Sequence, residues 1–242
     1  KFSMSISSKQ RLLGFIPARS GSVRAPNKNV RPIGGGTTPI WRAVTAALAA
    51  DSLDAIVVST DSTDYLHEAA AAGAATEYRR PPHLATSDAT IADSVADYLA
   101  WSHMRGQGGF SHIVLLQPTS LFRTAAEIDD AVLLWQESGC RSLVSVRPAA
   151  KLPALLVWGS KRQSSIAHAA KRPTLDDDKQ PYVLNGAIYI TPVEDIICRG
   201  QLWDERSVYY VCDTPDPYDI DTESDLAAAE ALLNCGQKLS HD

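Results

Sequence analysis

Short apolar runs rich in β-branched residues alternate with helix-length stretches along most of this chain, and nothing else limits its fold as strongly. The runs lie at residues 12–16, 55–59, 112–116, 142–146, 187–190 and 208–211, with a weaker one at 75–78. Each is too short for a helix and too continuously apolar for a strand with one wet face, so each reads as a buried strand. Between them lie helical segments at 40–50, with Pro39 in the first turn, at 63–72, stopped by Gly73, and at 90–105, stopped by Gly106. Thr124 and Glu127 form a capping box opening a helix to about residue 137. Further helices follow at 192–198 and after Thr222, which caps the last one with Asp225 three residues on. Strand and helix in alternation predict an α/β fold, a mostly parallel sheet with helices on both faces.

The first strand empties into Arg19-Ser-Gly-Ser-Val-Arg-Ala-Pro-Asn-Lys-Asn29, a loop of small and turn-forming residues with three cations, Arg19, Arg24 and Lys28. Gly21 lets backbone come close to a ligand, so main-chain N–H groups can meet an anion. The same composition suits a solvated surface loop. Its place at the carboxyl end of the first strand, where open α/β sheets bind ligands, favours the anion. With a net charge of −5 over 242 residues, the basic loop is a local feature. It suits a small anion better than a nucleic acid.

The chain has 45% hydrophobic and 21% charged residues, enough to bury a core. Its four cysteines have no paired spacing, which points to reduced thiols in a cytoplasm rather than a zinc site. No apolar run reaches 18 residues, so a soluble protein with no membrane association is expected. Neither Gly-x(4)-Gly-Lys-Ser/Thr nor Gly-x-Gly-x-x-Gly occurs, and Gly34-Gly35-Gly36 reads as a flexible turn.

Asp219 and Asp221 are spaced i, i+2, so in an extended segment both carboxylates share a face. Two hard oxygen ligands there suit Mg²⁺ held together with substrate phosphates; a turn residue and a helix-dipole partner are equally compatible. Gln117 and Asn185 sit beside apolar strands, where an amide can read hydroxyls or serve a turn. Arg80 and Arg123 also suit surface ion pairs. No histidine shows catalytic or metal spacing. Residues 148–182 lack a clean period and mix Leu152, Leu155, Leu156, Val157 and Trp158 with charge. They read as an excursion from a core made of residues 11–147 and 186–236, an arm over 148–185 that needs covering.

Taken together, these blocks resemble the N-acylneuraminate cytidylyltransferase family from about residue 15 to 233. The motifs are Ile16-Pro-Ala-Arg19-Ser-Gly21-Ser22…Lys28-Asn29, Val58-Ser-Thr-Asp61, Arg79-Arg80-Pro81, Leu115-Leu-Gln117-Pro-Thr-Ser120…Arg123, Asn185-Gly-Ala-Ile-Tyr189 and Asp219-Ile-Asp221-Thr. The resemblance implies a Rossmann-like nucleotidyltransferase fold, a metal-dependent reaction with CTP, an acidic sugar acceptor and a homodimer whose arm reaches the partner's sugar site. It implies that Arg19, Ser22, Lys28 and Asn29 hold the triphosphate, and that Ala18, Gly21, Arg80 and Thr90 also bind the nucleotide. It implies that Gln117 and Asn185 face the acceptor, that Asp219 and Asp221 bind Mg²⁺, and that Arg19, Lys28 and the two aspartates carry the catalysis.

Three departures fall on the acceptor side. Val183 stands where the family usually has Arg, Leu155 lies where a Lys is often found, and Leu121 replaces a Pro. An acceptor carboxylate then needs another cation, with Lys151, Arg147 and Arg172 as candidates. The resemblance leaves open a different acidic acceptor, such as a phosphonate, and a nucleotide-binding protein without turnover.

Overall fold

A computed structural model describes residues 10–22, 24–148, 158–160, 163–165, 182–212 and 220–239; for 158–160, 163–165 and 235–239 it describes the backbone alone. The strands are β1 (Leu12–Pro17), β2 (Ala55–Ser59), β3 (His112–Leu115), β4 (Leu143–Pro148), β5 (Trp158–Ser160), β6 (Gln163–Ser165), β7 (Tyr182–Pro192) and β8 (Val208–Val211). The helices are α1 (Pro39–Leu48), α2 (Thr63–Ala71), α3 (Ile91–Met104), α4 (Ala125–Ser138), α5 (Val193–Arg199) and α6 (Glu223–Leu239). Six strands form one sheet in the order β2-β1-β3-β7-β4-β8. Every pairing in it is parallel except the two made by β7.

Period-two alternation explains the two faces. Along β1, Leu12 and Ile16 enter one core with α1, α2 and α4, through residues such as Ile40, Val44, Tyr65, Ile128 and Trp135. Leu13 and Phe15 point the other way, into a second core with Val95 and Tyr98 of α3 and Ile196 of α5. Val57 and Val58 of β2 divide likewise. Helices therefore cover both faces, as the alternation required. The ends of α3 and α4 are as legible: Thr90 with Asp93 and Thr124 with Glu127 each form a complete capping box.

Two expectations need correcting. Residues 75–78 are not a strand of the sheet. Their apolar content comes down to Tyr78, buried in the α3-side core, while Ala75 and Glu77 are exposed and weak strand formers. The triglycine turn does more than flex. Gly34, Gly35 and Gly36 all have positive φ, and an Ile33–Thr37 bridge closes the turn. Ile33 then packs with Leu121 and with Ile220, Leu226, Ala229 and Leu233 in a third cluster at α6. Leu121, the residue standing in for a Pro, is thus an anchor for the last helix.

β4 and β7 pair as far out as Pro148↔Tyr182, so the sheet takes in residues 182–185. Between β4 and β7 the described residues are two short paired antiparallel strands, β5 and β6. Leu152, Leu155, Leu156, Val157, Lys151 and Arg172, and the side chain of Trp158, lie outside the described residues.

Candidate active site

Open α/β sheets bind ligands outside the carboxyl ends of their strands. Here the loops that follow β1 and β3, parallel neighbours in the sheet, leave from adjacent carboxyl ends. A cleft of about 350 Å³ lies there. Four loops and the start of α3 line it, bringing together Arg19, Ser22, Lys28 and Asn29 after β1, Arg80 before α3, Thr90 at the start of α3, Gln117 after β3, and Asp221 before α6. These residues span the chain from one end to the other and were singled out separately in the sequence.

The loop after β1 is built to present cations. Asn27 takes a left-handed turn (φ 56°), which starts one tight turn over Lys28–Val30 and buries Asn29. Lys28 donates through Nζ to the Ile220 carbonyl and lies 3.3 Å from Asp221 Oδ1. Arg24 reaches Asp221 Oδ2 at 2.9 Å, and Arg31 grips Glu223 at 2.6 Å. The phosphate-type loop is therefore tied to the start of α6 through three basic side chains.

Arg80 is no surface residue. It is 5% exposed, and it donates from Nε to Ser59 Oγ (2.9 Å) and from Nη2 to the Ser59 carbonyl (2.7 Å). Burial lowers its pKa below the usual arginine value, though a guanidinium remains charged. Arg123 is also buried rather than on the surface. Its Nη1 donates to the carbonyls of Gln117 and Ala187, bracing the loop after β3 against β7. Thr90 caps α3, so the positive end of a 14-residue helix opens on the cleft, with Ile91 and Ser94 beside it.

Several residues named from sequence lie off the lining. Ala18 is fully buried, and its N–H is spent on the Ser59 carbonyl (2.9 Å). Gly21 sits behind the rim, near the Ala85 carbonyl. Asn185 is buried where β7 bulges against β4. Its Oδ1 accepts from Ser145 Oγ (2.6 Å) and from the Ala187 N–H (3.2 Å), which fixes the amide and leaves Nδ2 a donor without a partner among the described residues. Gly186 beside it has φ 75°, and a Cβ there would lie 3.0 Å from Gln117 Oε1. Asp219 and Lys151 lie outside the described residues. Among those described, no group of three or more His, Cys, Asp or Glu is placed to hold a metal. Ser87, Ala89, Ser94 and Thr119 line the cleft without any signal in the sequence beyond lying near Thr90 or Gln117.

What this site can do follows from its parts. Two cations, Lys28 and Arg19, a buried guanidinium and a helix start converge on a pocket large enough for a small polyanion. One amide, Gln117, and one carboxylate, Asp221, line it as well.

Comparison with known proteins agrees. Among solved structures, CMP:2-keto-3-deoxy-manno-octonic acid synthetase complexed with CTP superposes with a TM-score of 0.67 at 16% identity, covering 95% of this chain and 100% of that one. A 4-diphosphocytidyl-2C-methyl-D-erythritol synthase gives 0.62 at 14% identity, covering 93% and 100%. At such identities the likeness is one of fold, and the fold is that of nucleotidyltransferases.

The sequence model of the cytidylyltransferase family matches residues 13–148, and the chain belongs to that family, a CTP-dependent nucleotidyltransferase. The CMP-N,N'-diacetyllegionaminic acid synthase of Legionella pneumophila is 33% identical over 235 residues, covering 94% of this chain and 98% of that protein. The N-acylneuraminate cytidylyltransferase of Streptococcus agalactiae is 31% identical over 88% of this chain, which spans 51% of its length. No helix among the described residues is long and apolar enough to cross a membrane.

Proposed function

We propose that this enzyme transfers CMP from CTP to a nonulosonic, sialic-acid-like sugar acid and releases pyrophosphate. The observation that carries the reading is the convergence of Arg19, Lys28, Arg80, Gln117 and the α3 start on one cleft in a member of the cytidylyltransferase family. The acceptor class is that of the relatives, which are named for legionaminic and acylneuraminic acids.

In this reading Arg19, Ser22, Lys28 and Asn29 grip the triphosphate, and Arg80 and Thr90 act on the nucleotide. The acceptor hydroxyl attacks the α-phosphorus, aligned by Gln117 and Asn185, and pyrophosphate leaves into the cationic loop. The protein's share is alignment and charge neutralisation, with no covalent intermediate required.

Mg²⁺ is the cofactor of this reading, held by Asp221 and Asp219 with substrate phosphates. Asp221 supports it: a carboxylate on the edge of an anion-binding cleft weakens anion binding unless a cation joins the two. When bound, the ion would neutralise charge on the phosphates. Arg24 and Lys28, which hold Asp221 here, would then turn to the phosphates themselves.

For the acceptor carboxylate, the register of β4 and β7 favours Arg147. It pairs directly across from Val183, and Ser145 meets Asn185 in the neighbouring row of the same face. A cation missing from β7 is thus available one strand over. We also propose a homodimer built on the 148–185 arm. Tyr182, Leu184, Tyr209 and Val211 support it, lying together on the outer end of the β7-β4-β8 face and 39–54% exposed.

The test is pyrophosphate release with CTP and a panel of acidic acceptors that includes N,N'-diacetyllegionaminic acid and N-acetylneuraminic acid. A CMP-sugar product with a nonulosonate is the expected result. Turnover only with a phosphonate or another acid would overturn the acceptor class. CTP binding without turnover on any acceptor would favour a nucleotide-binding protein instead.

A further inference from the structure

Asp61 lies in the turn after β2, outside the cleft, yet both oxygens of its carboxylate are spent on the phosphate-type loop. Ser20 N–H donates to Oδ1 at 2.9 Å, and Ser20 O–H donates to Oδ2 at 2.6 Å. Those two donors belong to the residue between Arg19 and Gly21. The Ser22 N–H in turn reaches back to the Ser20 carbonyl (2.9 Å), closing the turn over Gly21. Fixing Ser20 therefore fixes the side chains on either side of it, Arg19 and Ser22, and both of those line the cleft.

Asp61 is not occupied as a helix cap, the commonest duty of an aspartate before a helix. Ser62 caps α2, and its hydroxyl accepts from the Tyr65 N–H. Asp61 is itself held from behind. Arg79 donates through Nε and Nη2 to its carbonyl, at 3.0 and 2.8 Å. The Arg80 N–H reaches the Thr60 carbonyl (2.9 Å), and the Arg80 guanidinium grips Ser59. Residues 59–61 thus join two cationic arms of the site, the Arg19 loop and Arg80.

A carboxylate close behind an anion-binding loop lowers the local potential, so charge complementarity does not explain its presence. Geometry does, because a carboxylate accepts from an N–H and an O–H of the same residue at once. Burial works to raise the Asp61 pKa, but the two Ser20 bonds and the nearby Arg80 charge hold it below the usual carboxylate value. It stays ionised, and an acceptor, through the neutral range.

We propose that Asp61 is the positioning residue of the triphosphate loop, acting through Ser20 and touching no substrate. The inference rests on the reading that this loop takes the triphosphate of CTP. The test compares Asp61→Ala, Asp61→Asn and Ser20→Ala with wild type, measuring KM for CTP, KM for the acceptor, Kd for inorganic tripolyphosphate and thermal melting.

Asp61→Ala is expected to raise KM for CTP and Kd for tripolyphosphate about 10- to 100-fold, the range of charge-assisted hydrogen bonds. KM for the acceptor should stay within about twofold, since the loop after β3 is braced separately by Arg123. Asp61→Asn keeps an acceptor for the Ser20 N–H and should recover most of the loss. Ser20→Ala keeps one of the two bonds and should fall between.

A folded Asp61→Ala with CTP and tripolyphosphate constants near wild type would overturn the proposal. So would equal losses for CTP and acceptor, which mark general loosening. If Asp61→Ala does not fold, Ser20→Ala decides on the same criteria. Wild type that grips tripolyphosphate but never turns over CTP would count against the enzymatic reading, and the positioning role would then stand or fall on the tripolyphosphate constants alone.

Discussion

Replacing the buried Gly34 by Ala should destabilise this protein by more than a methyl group added at its exposed turn glycines. Gly34 has φ +34°, where a side chain strains the backbone. Its added Cβ would lie 2.3 Å from Leu233 Cβ and 2.8 Å from Leu233 Cδ1. The Cδ1 contact can be relieved by rotation. The Cβ contact cannot, because Cβ is fixed to the backbone of α6, so the helix or the turn must move. Left-handed strain costs about 1–2 kcal/mol for a non-glycine residue. Overpacking adds about 1–3 kcal/mol. The sum is about 2–5 kcal/mol, a large part of the stability of an ordinary domain.

Urea unfolding followed by circular dichroism would measure the loss. Adding Leu233→Ala should recover little, because alanine keeps the Cβ that makes the 2.3 Å contact. A loss under about 0.5 kcal/mol, the size of a neutral surface change, would refute the packing argument.

Other outcomes follow from the site. Asp221→Asn should abolish Mg²⁺-dependent turnover while CTP binding without metal persists, since Lys28 and Arg24 lose a competing anion; near-normal activity would remove Asp221 from the metal. CTP should be used over UTP, ATP and GTP, and comparable pyrophosphate release with UTP would contradict this. N-acetylneuraminate should be a poor acceptor, and Arg147→Ala should raise KM for the true acceptor; efficient N-acetylneuraminate turnover would defeat the first, and an unchanged KM the second. Light scattering at micromolar concentration should give a dimer mass, and an active monomer would exclude the proposed assembly. Burial, helped by Arg141, pushes the His112 pKa from 6.5 down to about 4, against the pull of Asp195. The neutral ring is favoured in the fold, so this contribution is full above pH 6.5 and is lost as pH falls towards 4. His112→Gln should flatten the melting temperature across that window.

The sheet was legible because alternation along β1 and β2 sorts apolar side chains to two cores, and the capping boxes at Thr90 and Thr124 mark helix starts in one dimension. Residues 75–78 misled for the converse reason: one buried aromatic, Tyr78, gave a short window the look of a strand. The cleft residues were legible one by one as motifs, but their partners were not. That Ser20 is held by Asp61, or that Arg147 faces Val183, depends on strand order and register, which no local pattern encodes. The buried roles of Arg80 and Arg123 escaped for a similar reason, since a guanidinium inside a fold is legible only once its carbonyl partners are in place. Gly34 looked like slack because its constraint comes from a helix near the other end of the chain.

Arg24, Lys28 and Arg31 meet the stretch around Asp221 at sequence separations of 192 to 197. That separation bears on how the protein is made. A nascent chain that has already folded β1, α1 and β2 displays its cationic loop with no carboxylate opposite, and this persists until the last stretch before α6 leaves the ribosome. Contacts closed at such long range are among the slowest to form. In the proposed reading, the growing chain carries the cations meant for phosphate long before the carboxylate meant for the metal, and the site is completed only when α6 docks on Ile33 and Leu121 and brings Asp221 to the loop.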